Sequence, residues 1–368
     1  MLKRGIGEAE AIALIARIAR RRRPEIAKAI GDDAALFRDG LVVTTDTYLE
    51  GVHFDRSYLD LSAVGARAMC GTLSDIAAMC AKPIAVFVSA MIPSSARPSE
   101  LRELYQGMDA VCSLFDTEIA GGDIVAAPKL GLALTALGRT SQPRLRSAAR
   151  PGDYLYVTGH VALAETGRLA LKHALSPTRY KHAIERHVCP LPRINEALKL
   201  ARKIRGLIDT SDGLSTDAGH LAIESKVRII IEPERLPLSP ETCRLASELN
   251  LDLGQFAVSS GEDYELLFTS PDPRLETVNH KGHKVATENT KELGLPPRKL
   301  GDMTRTVRHS CAPPLVQDAV GRSAAPDRDR VPYLLLTRIG RVEEGSGVYL
   351  LSAGRLRRLK PSGYDHLR

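Results

Sequence analysis

The sequence contains no tryptophan, and aromatic residues make up only 4% of its 368 residues. Proteins that bind single-stranded nucleic acid usually stack bases on aromatic side chains, so this shortage argues against a nucleic-acid partner. The formal net charge is a modest +7. The densest basic run, RRRR at 20–23, ends a helical pattern, where cations complement the helix dipole. A mildly basic protein of this kind also suits phosphorylated small molecules.

Long apolar runs are lacking as well. No stretch approaches the roughly 18 consecutive apolar residues of a membrane span, so no membrane partner is expected. The first 23 residues lack the apolar segment and cleavage site of a secretory signal, which predicts a cytoplasmic protein. None of the six cysteines forms a C-x-x-C pair, and in such a compartment we expect reduced thiols.

The remaining composition is that of a globular protein, with 43% apolar and 26% charged residues, and the length suits two domains. Helical and strand patterns alternate along the chain. A Pro/Gly turn at 149–153 favours a division into an N-terminal domain, 1–145, and a C-terminal domain, 146–368. The segment 271–332 has eight prolines and no aromatic residue, which predicts a surface insertion.

Acidic residues recur in short motifs flanked by glycine, serine or threonine. We interpret these motifs as loops near strand ends, except the SD motif, which lies within a helical pattern. Their oxygens are the hard ligands that Mg²⁺ prefers, and adjacent glycines let backbone N–H groups approach phosphate. A Walker-type G-x-x-x-x-G-K-[ST] motif is absent, so a nucleotide would be held by acidic, metal-rich loops. The motifs are GDD (31–33), TTDT (44–47), SD (74–75), GGD (121–123), DTSDG (209–213) and GED (261–263).

In their order, these motifs and their surroundings resemble the thiamine-monophosphate kinase family, within the superfamily of aminoimidazole ribonucleotide and selenophosphate synthetases. The resemblance skips 271–332, and Ile124 and Val125 depart from the Thr pair usual after GGD. It rests on GDDAAL (31–36), TTDTYLEGVHF (44–54), LSDIAAMCAKP (73–83), GGD (121–123), RSAARPGDYLYVTG (146–159), DTSDGLSTDAGHLA (209–222), SGEDYELLFT (260–269) and GYDH (363–366).

The resemblance implies an α+β fold of two domains. The sheet of the N-terminal domain, which binds ATP and Mg²⁺, would pair with that of a second subunit in a homodimer. The C-terminal domain would be a mixed sheet covered by helices. The implied reaction is transfer of the γ-phosphoryl group of ATP to thiamine phosphate, assisted by several Mg²⁺ ions.

The resemblance also implies roles for individual residues. ATP contacts are expected from Gly122, Asp123, Arg146 and Ser211, and thiamine phosphate contacts from His53, Glu262 and Tyr364. The implied Mg²⁺ ligands are Asp33, Thr44, Thr45, Asp46, Asp75, Asp123, Asp209 and Asp212.

No general base is expected, because a phosphate oxygen is already anionic near neutral pH and needs no deprotonation. Two alternatives stay open. One is another ATP-dependent synthetase of the same superfamily, acting on an amide, formyl or carbamoyl oxygen. The other is a degenerate ATP-binding protein with a regulatory role. Release of ADP with thiamine phosphate as the sole acceptor separates them.

Overall fold

The computed structural model describes residues 6–19, 23–275 and 335–363. Two β-sheets organise these residues, one within 26–139 and the other within 154–359, and helices pack on both. This α+β architecture agrees with the prediction. The predicted insertion at 271–332 lies outside the described residues from 276 onward. No helix in the described ranges is long and apolar enough to cross a membrane.

The first sheet has six strands in the order β1-β2-β3-β6-β4-β5. Its register carries one row of facing residues from Asp46 through Leu134 and Val88 to Gly122. The strands are β1 (Ile26–Lys28), β2 (Ala35–Phe37), β3 (Leu41–Leu49), β4 (Lys82–Ile92), β5 (Glu118–Ala126) and β6 (Gly131–Arg139).

Side chains alternate between the two faces of this sheet, as the pleat of a strand requires. On β3, Val42, Thr44 and Tyr48 are buried, whereas Thr45 and Thr47 between them are exposed. The buried face is covered by α2 (Leu61–Ala78) and α3 (Pro98–Leu114). The opposite face, which carries Thr45, is called the outer face below.

Helix α2 lies at the centre of the molecule. It begins at Asp60, whose carboxylate accepts a hydrogen bond from the Ala63 N–H at 2.8 Å and so caps the helix. Its side chains are mostly small and are buried along almost its whole length. It therefore packs closely against β3 and β6 on one side. On the other side it packs against α5 (Lys181–Val188), α6 (Ile194–Leu200) and β8 (Leu207–Asp209) of the C-terminal half.

The second sheet has seven strands in the order β13-β12-β9-β11-β7-β10-β8. Strand β12 runs parallel to β9 and the other neighbours are antiparallel, so the predicted mixed sheet is confirmed. The strands are β7 (Tyr154–Thr158), β8 (Leu207–Asp209), β9 (Arg228–Ile231), β10 (Leu266–Ser270), β11 (Leu336–Glu343), β12 (Gly347–Ser352) and β13 (Arg355–Leu359).

Helices cover this second sheet and join it to the first half. Short 3₁₀ helices occur at Arg146–Ala148 and Pro233–Arg235. The N-terminal helix of the described residues is α1 (Glu8–Ile18). The α-helices that follow α2 and α3 are α4 (Leu163–Lys172), α5 (Lys181–Val188), α6 (Ile194–Leu200), α7 (Leu214–Ser225), α8 (Pro240–Glu248) and α9 (Leu253–Ser259).

The SD motif lies within α2, as its helical pattern predicts. The interpretation of the other five acidic motifs as loops is wrong for two of them. The TTDT motif lies within β3 and the GGD motif lies within β5. In β3, side chains keep alternating between the two faces through the TTDT motif. Thr44 and Asp46 face the helix-covered side of the sheet, and Thr45 and Thr47 face the outer side. Strand β5 is an edge strand with one neighbour, and an edge tolerates glycine pairs that a central strand does not.

Candidate active site

Three carboxylates from distant parts of the chain meet at one point. Asp33 follows β1, Asp75 lies near the end of α2, and Asp209 ends β8. One oxygen of each lies within 4.8 Å of the other two. Asp33 and Asp209 are buried and Asp75 is partly buried. Like charges at such distances repel strongly in a poorly solvated site, so the arrangement is one that a cation would stabilise.

Hydroxyl groups fix the orientation of this cluster. The Thr44 hydroxyl donates to Asp75 Oδ2 at 2.5 Å, and the Ser74 hydroxyl donates to Asp209 Oδ2 at 2.6 Å. Because β3 and α2 supply the two donors, the cluster is built jointly by the first sheet, its central helix and β8. The sequence predicted Thr44 as a ligand; in this structure its hydroxyl is engaged by Asp75.

Basic side chains close one side of the cluster. Arg146 donates to both carboxylate oxygens of Asp33, from Nη2 at 2.8 Å and from Nε at 3.1 Å. The neighbouring Asp32 accepts the Arg146 backbone N–H at 3.2 Å and lies 3.7 Å from the Lys28 ammonium. The predicted ATP contact Arg146 is thus beside the cluster, with its planar fork already matched to a carboxylate.

The protein environment favours protons on several of these carboxylates. Burial, with the charges of Asp46, Asp209 and Asp33, raises the pKa of Asp75 well above its usual range. Burial and then Asp33 raise the pKa of Asp209 to about 8. Burial and then Asp33 raise the pKa of Asp32 to about 7. Ionising several of these carboxylates without a counter-charge is costly. A divalent cation supplies that charge, and carboxylate oxygens are the hard ligands that such a cation prefers.

The loop after β8 brings Ser211 and Asp212 to the same region. Its backbone is held by Asp217, a buried residue of α7 that accepts the N–H groups of Asp212 at 3.4 Å and Gly213 at 3.1 Å. Burial, and then Asp212 and Asp209, raise the pKa of Asp217 well above its usual range. A β-carbon on Gly261 would lie 2.4 Å from the Ser211 carbonyl oxygen, so only glycine lets the GED loop approach.

One cavity of about 680 Å³ connects the acidic residues with the GED loop. Asp46, Asp75, Asp209 and Asp212 lie on its wall together with Ser211. His53 and Glu262 line it as well. The structure therefore brings together, in a single cavity, residues that were predicted to bind metal, ATP and thiamine phosphate.

The predicted substrate residues are held in defined positions. The His53 ring accepts the Leu49 N–H at Nδ1 over 3.0 Å, so Nδ1 carries no proton in this arrangement. Glu262 forms an ion pair with Arg67 at 2.6 Å. Tyr364 lies outside the described residues. The chain before it is anchored near Asp212 by the Gly363 N–H, which donates to the Thr216 hydroxyl at 3.1 Å.

Three predicted residues are not brought to the cluster within one chain. Thr45 is on the outer face, where its hydroxyl accepts a hydrogen bond from Thr135 at 3.2 Å. Gly122 and Asp123 lie on β5, and Asp123 shares its row of the sheet with Thr47. Three strand spacings separate the two ends of that row, roughly 14 Å.

The sequence predictions missed several residues of the site. Arg67, Asp217 and the cavity-lining residues Tyr58, Arg168 and Lys172 were not singled out. Arg67 and Asp217 look like ordinary helix-surface charges in the sequence. Each is only 1% exposed in the structure, and this burial distinguishes them from surface charges. A helical sequence pattern alone does not predict such burial.

Comparison with known proteins agrees with this geometry. Residues 31–140 match the family described as AIR synthase related protein, N-terminal domain. The thiamine-monophosphate kinase of Aquifex aeolicus (strain VF5) is 30% identical over 344 residues, 92% of this chain and 93% of the relative. That of Escherichia coli (strain K12) is 32% identical, over 83% of this chain and 93% of the relative.

A solved structure of AaThiL complexed with AMPPCP and TMP resembles this chain throughout. The two share 29% sequence identity with a TM-score of 0.77, and the match covers 100% of both chains. The likeness therefore extends over both halves of the chain.

Proposed function

This chain belongs to the thiamine-monophosphate kinase family, and we propose that it transfers the γ-phosphoryl group of ATP directly to the phosphate of thiamine phosphate, giving thiamine diphosphate and ADP. The observation that carries the proposal is the cluster of Asp33, Asp75 and Asp209. Asp75 and Asp209 of this cluster line a cavity whose other residues include Glu262 and His53. The solved structure with AMPPCP, an ATP analogue, and TMP supports the same pair of substrates.

We infer that the acidic cluster holds Mg²⁺, because its donors are carboxylate oxygens buried at short mutual distances. Asp33, Asp75 and Asp209 would be the main ligands, with Asp46 and Asp212 beside them on the cavity wall. When bound, Mg²⁺ ions would offset the charge of the two phosphate groups and help to align them. Asp123 and the side chain of Thr45 lie away from this point in a single chain.

The chain's own groups would position the phosphates. Two N–H groups of the Arg146 guanidinium donate to the Asp33 carboxylate. The same planar arrangement of donors matches the oxygens of a phosphate. Asp217 holds the N–H groups of Asp212 and Gly213, which keeps Ser211 at the cavity wall. The attacking phosphate oxygen needs no base, so catalysis would depend on positioning and charge.

We propose that the protein is a homodimer formed through the outer face of the first sheet. Leu49, Phe87 and Val125 are 37%, 41% and 49% exposed on that face, and water-exposed apolar side chains of this size favour a partner surface. Thr45 and Asp123 share the face. Within one chain, three strand spacings, roughly 14 Å, separate Asp123 from Thr47 of the TTDT motif. A second copy placed against this face would bring Asp123 toward the partner's TTDT motif.

Mixing two inactive variants tests this arrangement. Asp75→Asn and Asp123→Asn are co-expressed so that mixed dimers form. If Asp123 acts across the interface, half of the sites in each mixed dimer are intact and the preparation regains about a quarter of wild-type turnover. If each site uses its own Asp123, no site is intact, and absence of recovery in a mixture shown to contain mixed dimers contradicts the proposal.

We also propose that the chain divides at 145/146, with an ATP- and Mg²⁺-binding and dimerisation domain before it and a C-terminal domain after it. The family match at 31–140 and the separate sheets within 26–139 and 154–359 support this division. The insertion at 271–332 falls between β10 and β11, which are consecutive in the chain and pair with the two sides of β7 in the C-terminal sheet.

The function is tested by following ADP release with thiamine phosphate as the sole acceptor. We expect release that requires both thiamine phosphate and Mg²⁺. Equal release with an amide or carbamoyl compound in its place would favour another synthetase of the superfamily. ATP binding without release, for any acceptor, would favour a regulatory protein.

A further inference from the structure

Arg67 is a charged residue in the interior of the central helix α2. Its side chain is 1% exposed, and Nη2 lies 2.6 Å from Glu262 Oε2. A second nitrogen of the same guanidinium, Nη1, donates to the backbone carbonyl of His187 at the end of α5. Burying a guanidinium is costly unless it is paired. Among the described residues Nε and Nη2 have no hydrogen-bond partner, so the ion pair with Glu262 is what offsets the charge of the buried guanidinium.

Glu262 is equally constrained from its own side. Its φ of 62° lies in the left-handed region, which residues other than glycine seldom adopt. Its backbone N–H donates to the Ser211 carbonyl at 2.7 Å. Its side chain is 30% exposed and lines the cavity. Backbone and side chain are therefore both fixed, while part of the side chain stays open to a ligand.

The same helix carries a member of the metal-binding cluster. Asp75 lies eight residues beyond Arg67 in α2, a rise of roughly 12 Å along the axis. A rigid helix therefore sets the distance between the acidic cluster and the Glu262 end of the cavity. The expected acceptor is of comparable length, with a phosphate at one end and an aminopyrimidine ring at the other.

We propose that Arg67 is a positioning residue that holds the Glu262 carboxylate where it binds the ring end of thiamine phosphate. The proposal rests on the proposed function and deepens it. The cavity wall already carries Asp46, Asp75 and Asp209, so another uncompensated carboxylate would be repelled. When Glu262 is paired with Arg67, the pair adds no net charge to the cavity. The Glu262 carboxylate can then accept a hydrogen bond from the amino group of the aminopyrimidine ring.

An arginine suits this role better than a lysine. Its planar guanidinium holds several nitrogens in fixed positions, here with Nη2 beside the Glu262 carboxylate and Nη1 donating to the His187 carbonyl. A lysine ammonium is a point charge on a flexible stem and would satisfy both acceptors less well. Arg67→Lys is therefore expected to keep part of the positioning, whereas Arg67→Met removes all of it.

The test is steady-state kinetics of Arg67→Met, Arg67→Lys, Glu262→Gln and the double variant Arg67→Met/Glu262→Gln, beside wild type. A matched control is Arg205→Met, which breaks another 2.6 Å ion pair, to Asp153, away from the cavity. We expect Arg67→Met to raise the KM for thiamine phosphate by about 10- to 100-fold, the scale of one charged hydrogen bond. The kcat and the KM for ATP change by less than about threefold.

The pair acts as a unit, so the double variant is expected to be no worse than the worse single variant, and Arg67→Lys to be intermediate. An unchanged KM for thiamine phosphate, additive effects, or a loss of kcat alone would overturn the positioning role. So would an equal rise in KM for Arg205→Met, because the effect would then be general destabilisation. If Arg67→Met does not fold, Arg67→Lys and Glu262→Gln decide by the same criteria. Failure of wild type to use thiamine phosphate would instead overturn the proposed function.

Discussion

Arg146 and Asp33, 113 residues apart in the chain, form a two-point ion pair with N–O distances of 2.8 and 3.1 Å. The Asp33 side chain is completely buried and that of Arg146 is 19% exposed. This pair links the C-terminal half to the acidic cluster. Its arginine supplies positive charge at a point where several carboxylates converge.

Replacing Arg146 with methionine is expected to destabilise the metal-free protein. Asp33 would stay buried without its partner, and breaking such a pair costs about 3 kcal/mol. Urea unfolding in EDTA measures this loss. Arg139→Met is the control, because its pair with Asp39 is exposed and its loss is expected to cost less than about 0.5 kcal/mol. Equal stability of Arg146→Met and wild type would contradict the assigned role of the pair.

Asp75→Asn is expected to abolish phosphoryl transfer without unfolding the protein. The carboxylate lies within 4.8 Å of Asp33 and Asp209, and loss of one electrostatic stabiliser lowers kcat by about 10²-fold or more. Asp46→Asn should act in the same direction. The exposed Asp116→Asn is the control. Near-normal turnover of folded Asp75→Asn at saturating Mg²⁺ would rule out the metal assignment.

The pH dependence of stability is expected to change in Asp209→Asn. The pKa of Asp209 is raised from 3.8 to about 8 in the folded state, so the folded state binds more protons than the unfolded state and this residue's contribution falls as pH rises from 4 to 8. In EDTA the variant should therefore gain stability relative to wild type across that range. Burial lowers the pKa of His160, His187 and His220, but this effect is common to both proteins and cancels.

Thermal melting of both proteins at several pH values checks this expectation. Adding Mg²⁺ should stabilise wild type more at pH 8 than at pH 5, because the metal displaces protons from the cluster. A melting-temperature difference between variant and wild type that stays constant with pH would contradict the account.

Transfer is expected to be direct, with no phosphorylated enzyme. A phosphate oxygen is a competent nucleophile, so a covalent intermediate would bring no advantage. Incubation with γ-labelled ATP alone should leave the protein unlabelled after denaturation. Stable label that thiamine phosphate then removes as product would show the opposite.

The sequence predicts the site residues that lie in recognisable acidic motifs. It does not predict those whose role depends on how distant parts of the chain pack together. The aspartates 33, 75 and 209 were predicted as ligands because their motifs resemble those of the family, and the structure brings them together. The course of β5 was not predicted, because its exposed glycine-rich motif lacks the alternation of a half-buried strand. Arg67 was missed because burial of a helical arginine depends on what packs on both sides of α2, and only the three-dimensional structure supplies that information.

The most direct test of the central claim is ³¹P NMR of one reaction mixture containing wild-type protein, ATP, Mg²⁺ and thiamine phosphate. We expect ADP and thiamine diphosphate to appear in equal amounts. Asp75→Asn is expected to form neither, and unphosphorylated thiamine is expected to be a poor acceptor. ADP that appears with free phosphate and without thiamine diphosphate, or comparable turnover of thiamine, would contradict the proposed function.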